Sequence, residues 1–295
     1  MPTVDPHPPS RAPLDWATLC RLIRLSNQSG TLLLLWPSWW SLWFASAGVP
    51  PIHLLIIFGL GAFLMRSAGV ILNDIADRGF DRQVTRTRER PLAAGTLPLR
   101  HAVGALIALL AAAGGLLALL PKQVWSLAPA AVLLASGYPL AKRVIAVPQA
   151  ILGIAFGWGA VMAWASIHQH LNLSAWLVFG GTTFWAVAYD TIYAIQDRDD
   201  DRMVGVKSAA LFFGDLAWVA VLVCEALFIA CLVGAGWLTG AGTLFYIVLG
   251  CVAVFLSWQA LQVRHVTGRD QAFAFFTQHV WVGLAILIGI AGGFA

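Results

Sequence analysis

"NDIADRGFDRQV", residues 73–84, closes an apolar run with an asparagine and three aspartates. A second stretch, "DTIYAIQDRDDDRMV" (190–204), closes another apolar run in the same way. What surrounds them decides the fold. Of the 295 residues, 59% are hydrophobic and 11% charged, and the mean hydropathy is +0.78. A soluble domain carries about a quarter charged residues. This composition instead points to a polytopic membrane protein built from apolar runs of about 20 residues. Spanning segments must satisfy their own peptide groups, so they are helices or a closed barrel. Runs such as "ALIALLAAAGGLLALL" (105–120) lack the alternation of barrel strands. The fold class expected is therefore all-α, a polytopic bundle of transmembrane helices.

Hydropathy marks nine candidate spans, at 28–48, 52–73, 101–120, 124–141, 147–167, 173–194, 210–237, 241–262 and 272–293. The connecting loops support this count. Arg21 and Arg24 precede the first span, Arg78 to Arg100 follow the second, Lys142 and Arg143 the fourth, Arg198 to Lys207 the sixth, and Arg264 and Arg269 the eighth. The opposite loops, "GVPPIH", "LPKQ", "SIHQHLN" and "GWLTGAG", hold only Lys122 between them. Basic loops stay cytoplasmic, which puts the N-terminus inside and the C-terminus on the far side. Residues 1–20, Pro-rich at their start, read as a disordered tail and 21–295 as a single transmembrane domain. The net charge of +4 follows from this topology, so nucleic-acid binding is not expected, and no obligate protein partner is evident. Cys20, Cys224, Cys231 and Cys251 form no CxxC pair, and the three inside apolar runs read as small buried hydrophobes.

An internal echo links the two acidic stretches. Asp77-Arg78-x-x-Asp81-Arg82-x-Val84 recurs, 120 residues later, as Asp197-Arg198-x-x-Asp201-Arg202-x-Val204. On a helix turning about 100° per residue, Asn73, Asp77, Asp81 and Asp74 fall within about 100° of arc. Asp190, Tyr193, Asp197 and Asp201 fall within about 80°. Each set thus aims several oxygen donors one way if its helix continues through the motif. Stacked like charges repel and are costly beside a bilayer, so a cation is expected among them. With no Cys or His nearby, zinc and copper are disfavoured. Hard oxygen donors suit magnesium, which binds through a few carboxylates plus substrate phosphates. The interleaved arginines suit phosphate oxygens.

"NDIADRGFDRQVTRTRERPLAAG" (73–95) and "DTIYAIQDRDDDRMVGVKSAALFFG" (190–214) resemble the two signature regions of the UbiA-type intramembrane prenyltransferases. The first family motif, N-D-x-x-D-x-x-x-D, is met by Asn73, Asp74, Asp77 and Asp81. The second, D-x-x-x-x-x-x-D-x-x-x-D with an internal Tyr, is met by Asp190, Tyr193, Asp197 and Asp201. The likeness runs from about Leu32 to the C-terminus and implies the family's layout of nine transmembrane helices around a central cavity. One stretch departs from the family: Ser26-Asn27-Gln28-Ser29-Gly30 stands where members typically carry Asp-Lys-Pro-Ile-Gly.

The resemblance implies magnesium-dependent transfer of a polyprenyl group from polyprenyl diphosphate to the ring carbon ortho to the hydroxyl of 4-hydroxybenzoate. That is a step of ubiquinone biosynthesis, expected in a bacterial inner membrane. Asn73, Asp77, Asp81, Asp197 and Asp201 would hold the metal, and Asp74 and Asp190 complete the catalytic set. Arg78, Arg82, Arg86, Arg198 and Lys207 would neutralise the departing diphosphate. Tyr193 would face the allylic cation with its ring. Arg143, then Lys142, would bind the acceptor carboxylate, and Arg66, inside the second span, should face the bundle interior. Two other readings remain open from the residues: another aromatic acceptor for the same chemistry, or a cation-coupled transporter.

Overall fold

The computed structural model describes residues 15–82, 84, 87–266 and 268–295, apart from the side chains of 138–140, 142, 143, 199, 200 and 204 within helices. Among the described residues every regular element is helical. In chain order these are α1 (Trp16–Leu22), α2 (Ser29–Ser46), α3 (Ile52–Ala76), α4 (Arg78–Asp81), α5 (Leu99–Ala118), α6 (Lys122–Trp125) and α7 (Ala128–Val144). They continue with α8 (Gln149–Ala165), α9 (Leu173–Ile195), α10 (Arg198–Val204), α11 (Ala209–Phe213), α12 (Ala217–Thr239), α13 (Thr243–Val263) and α14 (Arg269–Gly293).

The boundaries have local causes. Pro51, Pro98, Pro121 and Pro148 stand just before α3, α5, α6 and α8, where a missing N–H costs nothing. Asn172 caps α9, its side chain accepting from the Ala175 N–H at 3.1 Å. Gly205 and Gly240 end α10 and α12 with φ of 76° each, a left-handed geometry that glycine adopts without a Cβ penalty. At the other end of the chain, α1 begins at Trp16, inside the stretch expected to be tail, because Asp15 accepts from the Thr18 N–H at 2.8 Å and Leu22 is buried.

Each of the nine expected spans overlaps a helix of 17 residues or more. By length and apolarity, five of the described segments can cross a membrane: Ile52–Ala76, Leu99–Ala118, Ala209–Thr239, Thr243–Val263 and Arg269–Gly293. Gln149–Ala165 is a shorter apolar helix. Large apolar side chains face outward along α5 and α13, among them Ile107, Ile247 and Val254. Such surfaces are stable against hydrocarbon. The protein is an integral membrane protein.

Helix α9 lies at the centre, packed against α8, α12, α14 and α2. Its Trp185 stacks on Phe228 of α12 at 5.6 Å between ring centroids and meets Trp40 of α2 at 5.0 Å. The Trp40 indole N–H donates to the Gly283 carbonyl of α14 at 3.0 Å. Glycine lets α8 come close: a Cβ on Gly153 would sit 2.6 Å from the Thr183 carbonyl oxygen. In hydrocarbon, where burial against lipid gains little, such close backbone approach supplies much of the packing. The arrangement fixes α9, and with it the second acidic motif, facing α3.

Candidate active site

Between α2, α3, α5, α7, α8, α9 and α14 runs one cavity of about 640 Å³. Its deep wall is apolar, with Leu117 of α5, Ala131 of α7 and Phe156 of α8. Along the first acidic helix the wall extends from Ile57 to Asp77, about 30 Å at 1.5 Å per residue. Its mouth is polar. Asn73, Asp77 and Asp81 line it from one side; Asp190, Tyr193, Asp197 and Asp201 line it from the other. The two motifs share one chamber.

Neither helix continues unbroken through its motif. Helix α3 stops at Ala76, Asp77 takes φ −94° and ψ 3°, and α4 restarts at Arg78. Helix α9 stops at Ile195, and Asp197, at φ −105° and ψ 4°, precedes α10. At both joints the fourth residue on donates back to the aspartate: Asp81 N–H to Asp77 C=O at 2.9 Å, and Asp201 N–H to Asp197 C=O at 2.8 Å. The sequence echo is thus a structural one.

The remaining candidates separate by place. Asp74, at the edge of the expected arc, does not reach the cavity wall. Its side chain is 2% exposed, and Oδ1 accepts from Arg24 Nη2 at 2.8 Å and from Arg90 Nη1 at 3.1 Å. Arg90 also donates to Asp81 Oδ2 at 2.9 Å, and the Thr87 hydroxyl donates to the Asp81 carbonyl at 2.9 Å. Arg66 lines the cavity with its guanidinium against Gly30, where a Cβ would collide with it. Lys207 also lines the wall and donates to the Val144 carbonyl at 2.7 Å. Arg78, Arg82 and Arg198 stand off the wall. Arg82 donates to the Ala93 carbonyl at 3.0 Å, and Arg198 lies 3.6 Å from the exposed Asp215 carboxylate. Arg86 and the side chains of Lys142 and Arg143 lie outside the described residues.

Arg24, Arg90, Asn27 and Ser29 also line the cavity; of these, sequence reasoning singled out only Arg90, as one of the interleaved arginines suited to phosphate. Arg24 looked like one more basic residue of an inside-facing loop. The available signal was the polar stretch 26–29 just after Arg24, in place of the family's charged one. Burial, then the charge of Arg90, lowers the Arg24 guanidinium from its ordinary value, and Asp74 opposes this. An aromatic wall completes the mouth: Tyr193 lies 4.8 Å from Phe276 of α14, and Tyr189 lies 5.8 Å from the same ring.

The UbiA prenyltransferase family matches residues 34–294. This chain belongs to that family. A protein of Cupriavidus pinatubonensis named 4-hydroxybenzoate octaprenyltransferase is 42% identical over 281 residues, 95% of this chain and 98% of its own. One of Azoarcus sp. with the same name is 43% identical over 273 residues, 92% of this chain and 94% of its own. The apo structure of a UbiA homolog from Aeropyrum pernix aligns with a TM-score of 0.77 at 26% identity, over 88% of this chain and 96% of that one. A UbiA homolog from Archaeoglobus fulgidus, solved bound to DMAPP and Mg2+, shares the fold with a TM-score of 0.65 at 17% identity, over 93% and 99%.

Among the described residues the UbiA cavity wall carries oxygen donors and no His or Cys. No three described His, Cys, Asp or Glu side chains form a ready-made cage. That suits magnesium, which completes its shell with waters and substrate phosphates. The donor set fits the ion.

Proposed function

We propose that this UbiA-family chain transfers a polyprenyl group from polyprenyl diphosphate to the ring carbon ortho to the hydroxyl of 4-hydroxybenzoate, as in ubiquinone biosynthesis. The observation that carries this reading is the shared chamber: two acidic motifs converge on a polar mouth that opens into an apolar tunnel. A polyprenyl diphosphate has the same two parts. Identity above 40% to proteins named for this reaction, across more than 90% of their length, supports the acceptor.

Asn73, Asp77 and Asp81 would hold divalent metal on one side of the mouth, with Asp197 and Asp201 on the other. Bound there, Mg2+ supplies charge neutralisation to the diphosphate oxygens. Arg24, Arg90 and Lys207 lie on the same wall and add donors for the charge that develops on the leaving group. The allylic C–O bond breaks with its electron pair going to the diphosphate. Tyr193, braced by Phe276, presents a ring face to the allylic cation. The acceptor's ring carbon forms the new C–C bond and gives up its proton. Asp190, on the wall one turn before Tyr193, would receive it. Arg66, on the wall and against Gly30, supplies a cation for the acceptor carboxylate; Arg143 and Lys142 are the other candidates. The basic loops favour a cytoplasmic mouth in a bacterial inner membrane.

Membranes containing the protein, given polyprenyl diphosphate and one acceptor at a time, separate the family's chemistries. The expected product forms with 4-hydroxybenzoate. Turnover only with homogentisate or dihydroxynaphthoate would keep the chemistry and overturn the acceptor.

A further inference from the structure

Among the described carboxylates of the acidic motifs, the one off the chamber wall, Asp74, is the informative one. Asn73, Asp77 and Asp81 line the cavity, whereas Asp74 is enclosed behind it and touches two arginines that do line it. Arg24 has a second peculiarity. Its φ is +53°, a left-handed conformation uncommon for a side chain of this size. Such outliers persist where the surroundings hold them, often at functional sites. Here the holding groups are visible. The Gln28 amide donates to the Arg24 carbonyl at 3.1 Å and to the Leu25 carbonyl at 3.2 Å, and Thr31 donates to Gln28 Oε1 at 2.6 Å. Asn27 occupies the place where the family carries lysine, so Arg24 is the cation that this segment brings to the wall.

We propose that Asp74 is a positioning residue: a buried carboxylate that holds the guanidinium groups of Arg24 and Arg90 side by side at the chamber wall, ready to bind diphosphate oxygens directly. Two adjacent guanidinium groups repel each other, and a carboxylate between them removes that cost. Each arginine carries five N–H donors, and Asp74 takes one from each. Others remain for a second anion. The link from Arg90 to Asp81 ties this clamp to the metal-facing wall. Asp74 therefore acts on the substrate's charge through arginine, independently of metal.

This inference rests on the diphosphate reading above, and its test separates the two. Inorganic pyrophosphate is titrated calorimetrically into the purified full-length protein in detergent, with and without Mg2+. Asp74→Asn should weaken pyrophosphate binding about tenfold in both conditions. Asp77→Asn should weaken it only with Mg2+ present. Asp74→Asn losing affinity only in Mg2+ would make Asp74 a metal ligand and overturn the proposal, as would wild-type affinity in both conditions. Arg24 is one-third exposed, so Arg24→Gln provides a variant should Asp74→Asn not fold. It should show the same metal-independent loss, and the double variant should be no worse than either single one. Wild-type affinity in Arg24→Gln overturns the clamp. No binding to the wild-type protein under either condition would instead sink the diphosphate reading itself.

Discussion

Asp77 and Asp197 occupy the same place in two helices, each at a joint where the axis breaks before restarting one residue later. Their charges are expensive at a membrane border, and the cavity between them explains why they are there. Replacing either with asparagine should lower kcat by at least about a hundredfold, while thermal melting in detergent stays at the wild-type value. Turnover close to wild type would remove both from the metal role. At Tyr193, the π face matters rather than the hydroxyl in this account. Tyr193→Phe should keep most of the activity, and Tyr193→Leu should lose about tenfold or more in kcat. Arg66→Gln should raise KM for the aromatic acid about tenfold with little change in KM for polyprenyl diphosphate. Steady-state kinetics with each substrate varied in turn decides between these. Most of this wall was legible in the sequence, because helical spacing brings oxygen donors into register. Asp74 was not: at the edge of the arc, its direction depends on arginines 16 and 50 positions away in sequence.

The helices themselves follow from composition, since nothing else satisfies the backbone in hydrocarbon. Prolines and capping residues fix where several of them begin. The breaks at Asp77 and Asp197 were not legible. Neither position carries proline, and both look like the continuation of a periodic acidic face. After the first break, the Thr87 hydroxyl bond turns the loop back onto Asp81. At the same scale, the α8–α9 contact depends on a missing side chain. Gly153→Leu should cost about 1–3 kcal/mol through overpacking, or separate the two helices. Melting temperature in detergent measures it, and an unchanged value would mean that the close approach at Thr183 is not required.

For the molecule as a whole, the loop asymmetry sets a direction. Under the proposed orientation, with the basic loops and the cavity mouth on the cytoplasmic side, a phosphatase fused to the C-terminus should be active and one fused to the N-terminus inactive. The reverse pattern would place the mouth, and the supply of diphosphate, on the wrong face. The chamber joins both ends of this argument: acidic and basic side chains at a polar mouth, and an apolar depth reaching back to Ile57. The most direct measurement is mass spectrometry of the product made by purified protein from polyprenyl diphosphate and 4-hydroxybenzoate. The account predicts a ring-prenylated 4-hydroxybenzoate in Mg2+, none with a chelator, and almost none from Asp77→Asn or Asp197→Asn. Product formed equally well in the presence of chelator, or no prenylated aromatic acid under any condition, would contradict it.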